Sequence, residues 1–305
     1  ILAMGAMTLW AVAASAAPTS PYKIWTETVQ VAGGQENVYY GGGVYGGHFY
    51  TGQIGNNGKG GPLEIAPEQT GGTAVVNSYN NGDAGAKSSV PVGSHVFFTG
   101  DDAQGIYRLE SDWTTPAGPV DPGTTGPEGI TTDGTYLYAN NDVDRGKVHK
   151  YSITNNNGSF SLTEQWAADT GAGRFRTLSY DDATDNLYAV DYYNDGIYEV
   201  DASDGSYSSL GTHAGSSGYQ AYRHEDDLYV VGLDDNLTVY DDVDNNGLSN
   251  SQSYDLGLTG GLYAIGVTDN EAGETSFWVN SRGYKVSYFT QPDNKVTNIH
   301  TGAQY

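Results

Sequence analysis

Arg-Thr-Leu-Ser-Tyr (residues 176–180), Asn-Leu-Tyr-Ala-Val (186–190), Gly-Ile-Tyr-Glu-Val-Asp (196–201) and Ser-Tyr-Ser-Ser-Leu (206–210) follow one another in this chain. They are four short runs rich in β-branched and aromatic residues, separated by Tyr-Tyr-Asn-Asp-Gly (192–196) and Ala-Ser-Asp-Gly (202–205). Asn, Asp and Gly tolerate the positive φ that tight hairpin turns need, so the stretch predicts a meander of four antiparallel strands. Its second run recurs along the chain. His-Phe-Tyr-Thr-Gly (48–52), His-Val-Phe-Phe (95–98), Tyr-Leu-Tyr-Ala (136–139), Asp-Leu-Tyr-Val-Val (227–231) and Ser-Phe-Trp-Val (276–279) are strands of the same kind. With residues 186–190 they come round about every 40 to 50 residues, the period of a β-propeller blade.

Six such units, parsed from about Lys23, predict an all-β chain: a six-bladed β-propeller of four-stranded antiparallel blades, occupying residues 18–305 as one domain. The inner strands of a blade are sandwiched between its neighbours and bury side chains on both faces. Most of the 25 tyrosines are therefore expected to be packing residues with a wet hydroxyl. Residues 23–31 form a strand ahead of the first full unit. Either that segment or Lys295–Ile299 could be the outermost strand of the last blade, and the residues leave the choice open. Were the first of these to pair with another molecule instead, it would build a polymer.

Residues 1–17 are apolar and precede Pro-Thr-Ser-Pro. They read either as the apolar core of a secretory signal, with Ala14-Ser15-Ala16 as its cleavage site, or as an arm buried against a neighbouring subunit. The stretch is shorter than the roughly 20 residues that span a bilayer, and no membrane span is expected in the mature chain. Cysteine is absent, which excludes disulfides, thiolate nucleophiles and cysteine metal sites. With 37 acidic and 13 basic residues the net charge is −24. Such a surface repels phosphate backbones, which excludes nucleic acid as a partner and favours cations. Scattered histidines and the lack of a Gly-x-Ser-x-Gly elbow or phosphate-binding loop give no enzyme signature.

Gly-Pro-Glu-Gly-Ile-Thr-Thr-Asp-Gly-Thr-Tyr-Leu-Tyr-Ala-Asn (126–140) resembles the blade opening of NHL-repeat and SMP-30/gluconolactonase-like propellers. In the hydrolytic branch of that superfamily, an Asn between Pro and Gly helps to hold a divalent metal, so the resemblance implies a metal-dependent lactonase or esterase as the alternative activity. Here that position is Glu128. The corresponding openings of later units carry Arg174 and Arg176, then Tyr219 and Gln220, then Tyr263. One carboxylate beside two guanidinium groups is expected to form an ion pair rather than a cation cage. These six residues are the candidate ligand face.

A second candidate is Asp242-Val-Asp244-Asn-Asn246-Gly-Leu248-Ser-Asn250. It resembles the calcium loops in the hairpins of integrin-type propellers. Side-chain oxygens of Asp242, Asp244, Asn246 and Asn250 with the Leu248 carbonyl would be the ligands of a weakly held calcium ion. Together these readings predict an exported or surface-exposed, non-catalytic binding or structural module. Its expected partners are a protein, a carbohydrate or copies of itself.

Overall fold

The computed structural model describes residues 22–28, 41–53, 60–66, 75–79, 85–100, 105–110, 113, 116–117, 120, 126–141, 145–156, 158–269, 273–281 and 285–291. Residues 1–17, with the apolar segment, and 295–299 lie outside them. Strand β1 (Tyr22–Thr28) is followed by the four strands of blade 1: β2 (Gly42–Tyr45), β3 (His48–Gly52), β4 (Pro62–Ile65) and β5 (Val75–Ser78). Blade 2 is β6 (Ala86–Val92), β7 (His95–Gly100), β8 (Ile106–Leu109) and β9 (Pro116–Ala117). Blade 3 is β10 (Pro127–Thr132), β11 (Tyr136–Asn141), β12 (Lys147–Asn156) and β13 (Ser159–Asp169). Blade 4 is β14 (Ser179–Asp181), β15 (Asn186–Val190), β16 (Gly196–Asp201) and β17 (Tyr207–Thr212). Blade 5 is β18 (Gly218–His224), β19 (Asp227–Gly232), β20 (Asn236–Tyr240) and, after a helical turn α1 (Val243–Asn246), β21 (Ser251–Asp255). Blade 6 runs β22 (Leu262–Asp269), β23 (Thr275–Ser281) and β24 (Lys285–Gln291).

All six sheets are antiparallel with four strands each, and every recurring aromatic run is the second strand of its blade. Blade 6 is completed by β1, which pairs antiparallel with β24 from Tyr22↔Thr290 to Thr28↔Lys285. The outermost strand of the last blade is thus the N-terminal one, and it pairs within its own chain. A ring closed this way leaves no open inner edge.

The buried apolar side chains among the described residues form six clusters, one at each junction between neighbouring blades. Strand alternation explains the aromatic repeat, because successive residues point to opposite faces. In β15, Leu187 and Ala189 pack towards blade 3 while Tyr188 and Val190 pack towards blade 5. In β23, Phe277 and Val279 face blade 5 and Trp278 faces blade 1. Trp278 stacks on Phe49 at 5.8 Å and 6° across that last junction. Each such ring removes about 150–250 Å² from water, which makes the junctions the main apolar store of the fold.

Polar side chains tie the inner strands into a second ring. Ser89 donates to the Thr51 carbonyl, joining blades 2 and 1; Thr99 donates to the Glu128 carbonyl, joining 2 and 3. Asn140 reaches the Phe175 carbonyl, Thr177 that of Tyr219, and Asn280 the Thr51 hydroxyl. Gln220 spans three blades: its amide donates to the Gly42 carbonyl at 2.7 Å and its oxygen accepts from the Ile265 N–H at 3.0 Å.

Candidate functional site

The inner strands all enter at one end of the central channel, and several enter through an irregularity. The β10–β11 register shifts between Pro127 and Ile130, β6–β7 between Ala86 and Ser89, β18–β19 between Gly218 and Gln220, and β22–β23 between Leu262 and Ala264. A bulge re-aims the side chain it carries. The residues in these bulges include Lys87, Glu128, Tyr219 and Tyr263, so local backbone geometry gathers the candidate face at the channel entrance. Gly129 allows a close approach in one of these bulges: a Cβ there would sit 2.6 Å from the Thr177 Cα and 2.5 Å from the Asn140 Oδ1. This is the physical reason for glycine in the Pro-x-Gly-Ile opening.

Glu128 is 1% exposed. Its carboxylate accepts from Arg174 Nε at 2.9 Å, from Arg174 Nη2, and from Arg176 Nη1 at 2.9 Å, with Lys87 Nζ at 3.5 Å. Both arginines expected as partners bind it, and the lysine of blade 2 joins them. Lys87 was missed in the sequence; it lies 41 positions upstream of Glu128, one blade earlier in the same place. This donor set does not fit the divalent metal of the lactonase-like branch, since a hard cation would have to enter among three cationic groups. Gln220 is buried and bonded to blades 1 and 6.

Asp191 positions Arg174. It is buried and accepts from the Gly173, Arg174 and Tyr193 N–H groups at 2.7, 3.1 and 2.9 Å and from the Asn194 amide at 2.8 Å. Burial works to raise its carboxyl, and those hydrogen bonds together hold it below the usual aspartate value. Next to it, Tyr193, Tyr192, Tyr219 and Tyr263 run edge to face at 5.2, 5.3 and 4.7 Å. Arg176 lies over Tyr192 at 4.6 Å, and Arg145 over Tyr193 at 5.6 Å. Tyr193 is 51% exposed and Leu233 36%. Tyr192 and Tyr193 escaped the sequence reading because they sit in a turn; only the doubled aromatic in an Asn-Asp-Gly hairpin marked them.

The 242–250 loop is engaged with protein groups. Asp242 has φ 51° and opens the turn α1. Its carboxylate accepts both hydrogen bonds of the Asn245 amide, while Asp244 forms a two-pronged pair with Arg223 at 2.9 and 2.8 Å. The amides of Asn246 and Asn250 both turn to Asp241, one to its carbonyl and one to its carboxylate. Leu248 packs against the junction of blades 4 and 5. Among the described residues no group of three or more His, Asp or Glu side chains is placed to hold a metal ion.

A cavity of ≈ 570 Å³ lies where the inner strands of blades 1 to 5 finish, walled by Tyr45, Tyr50, Tyr180 and Tyr222 and edged by Asp133 and Asp182.

No protein-family model and no curated protein matches the chain. Solved structures do. A chain of the nidogen/laminin complex superposes with a TM-score of 0.55 at 16% identity, over 75% of this chain and 84% of that one. A catalytically inactive virginiamycin B lyase from Staphylococcus aureus, in a structure with quinupristin, gives a TM-score of 0.55 at 12% identity, over 87% of this chain and 99% of that one. The likeness is one of fold. Six-bladed propellers of this shape include a member of a protein–protein complex and an enzyme, so the fold alone does not choose between them.

Proposed function

We propose that this chain is a non-catalytic binding module acting outside the cell, which holds a protein or carbohydrate partner on the face around Arg176, Tyr192, Tyr193, Tyr219 and Tyr263. The observation that carries this reading is the union of a closed channel entrance with a tyrosine run beside it that rises from the buried Tyr263 and Tyr219 through the half-buried Tyr192 to the surface. The entrance where the resembling hydrolases keep their metal is filled by Glu128, Lys87, Arg174 and Arg176. The run ends in the half-exposed Tyr193. Tyrosine and arginine supply large, stiff contact surfaces and dominate the energetics of binding interfaces. The rings suit the apolar faces of sugars as well as protein side chains. Export fits the acidic surface and the signal-like apolar segment.

A glycan array, read beside surface-plasmon measurements on candidate extracellular proteins, tests the reading. A genuine partner loses about tenfold or more in affinity with Tyr193→Ala or Arg145→Ala, as expected for an interface hot spot. Both variants should melt like the parent. Turnover of a lactone or aryl ester in the presence of added divalent metal, lost in Glu128→Gln, would overturn it in favour of hydrolysis.

A further inference from the structure

We infer that the cavity at the far end of the channel is a binding site for an organic cation, an ammonium or guanidinium group presented among tyrosine rings. The site is distinct from the face proposed above: the inner strands begin at Glu128 and its neighbours and end here. It is a walled cavity of ≈ 570 Å³, within the usual size range of small-molecule sites.

Its walls are fixed by bonds that cross the channel axis. The Tyr45 hydroxyl of blade 1 meets Thr131 Oγ1 of blade 3 at 2.9 Å. Tyr222 of blade 5 is hydrogen-bonded to the backbone of Val44 in blade 1. Tyr50 stands edge-on to Tyr45 at 6.0 Å. Tyr180 is held from behind, stacked on Tyr138 at 6.0 Å and 5°, with its hydroxyl on Asp185 at 3.0 Å. Burial pushes the Tyr45 phenol up to about 12 and Tyr222 higher still, so both remain neutral rings at physiological pH.

The charges at this mouth are of one sign. Asp133 and Asp182 edge it, and no Lys, Arg or His is among the described lining residues. Asp133 is braced by the Thr135 and Tyr136 N–H groups and by the Tyr138 hydroxyl. Asp182 is exposed at the rim. Tyrosine faces attract cations through their quadrupole, and carboxylates at a walled mouth focus the field of a chain with net charge −24. The protein uses the same pairing internally, with Lys150 Nζ 4.1 Å from the centre of the Tyr136 ring. Glycines at 46, 93 and 134, where an added Cβ would meet nothing within 4 Å, keep the rim low enough for a methylated ammonium to reach the rings.

The ligand chemistry could come from a free small molecule or from a side chain of another protein, and the test separates them. Calorimetry at low salt would use choline, its uncharged carbon isostere 3,3-dimethylbutan-1-ol, and a blocked lysine peptide. Choline, the peptide or both should bind with Kd below about 1 mM and at least about tenfold tighter than the isostere, weakening as salt is raised. Preference for choline indicates a free cation, and preference for the peptide a protein side chain. Asp182→Lys, an exposed change expected to fold normally, should cost about tenfold or more. Tyr193→Ala should change nothing here, so failure of this site and failure of the tyrosine face are read separately. Equal affinity for choline and the isostere, no binding of either cation below about 10 mM, or an Asp182→Lys variant that binds as the parent would each overturn the assignment.

Discussion

Replacing Glu128 with Gln removes one negative charge from the point on which Lys87, Arg174 and Arg176 converge and leaves the side-chain shape intact. A pair of opposite charges about 4 Å apart is worth roughly 4 kcal/mol at the effective dielectric that describes protein sites. Desolvation takes back much of that gain in the intact cluster, so the intact network contributes little net stability. Breaking it is different, because the cations stay buried without their counter-charge, and the cost of that is about 3–5 kcal/mol. At roughly 2 °C per kcal/mol for a chain of this size, the midpoint should fall by about 6–10 °C. Differential scanning calorimetry reads it directly. The cycle with Arg174→Met separates the pair from the packing: the double variant should recover about 1.5 kcal/mol or more relative to the sum of the singles. A drop below about 1 kcal/mol, or additive singles, would refute the view that this carboxylate neutralises the entrance.

Gln220→Leu leaves the Ile265 N–H and Gly42 carbonyl without their partner inside the channel, and should destabilise by about 2–4 kcal/mol in urea unfolding. Acid should weaken the fold in two stages. His213, buried against the Tyr240 hydroxyl at 2.9 Å, has its pKa lowered by burial, so the unfolded chain takes up a proton that the folded one resists and stability declines as pH falls below about 6.5. The lowered Asp191 contributes stability above about pH 4 that is lost as pH drops through its folded value. Asp191→Asn should therefore shrink the difference in melting temperature between neutral and acidic buffer. Asp244→Ala should cost about 1–3 kcal/mol because Arg223, 2% exposed, loses its two-pronged partner. Calcium at about 10 mM should leave the melting temperature of the parent unchanged while that pair holds, and a rise abolished by Asp244→Ala would instead establish the loop as a calcium site.

The blades were readable because their signal is local and repeated. Alternation in Asn-Leu-Tyr-Ala-Val and the Asn-Asp-Gly turns beside it specify strand and hairpin without knowledge of any distant residue. Glu128 and its two arginines were also readable, since equivalent positions of successive blades must meet at the axis. What escaped were features set by three-dimensional closure. The bulge that turns Lys87 inward is a register shift between strands and leaves no mark in composition. The far cavity is made of Tyr45, Tyr180 and Tyr222, which in the sequence are indistinguishable from packing tyrosines such as Tyr138 and Tyr188. The 242–250 loop shows how a distant contact adds to a local pattern. Its oxygen-rich spacing suits an ion, but Asp244 faces an arginine some twenty residues upstream that the spacing could not foresee.

The pairing of β1 with β24 also sets an order in time. Thr26 meets Ser287, so the last sheet draws on both extremes of the described chain and cannot form until nearly all of it has left the ribosome. Blades 1 to 5 are built from neighbouring hairpins and can assemble as they emerge, but β24 waits with a bare edge for a strand made first. Such long-range closure is slow and exposes a sticky edge meanwhile. The propeller is a clasp whose two halves come from opposite ends of the described residues. A permuted chain that begins at the turn between blades 3 and 4 would make β1 and β24 neighbours in sequence, and should close its ring faster while keeping the same folded form.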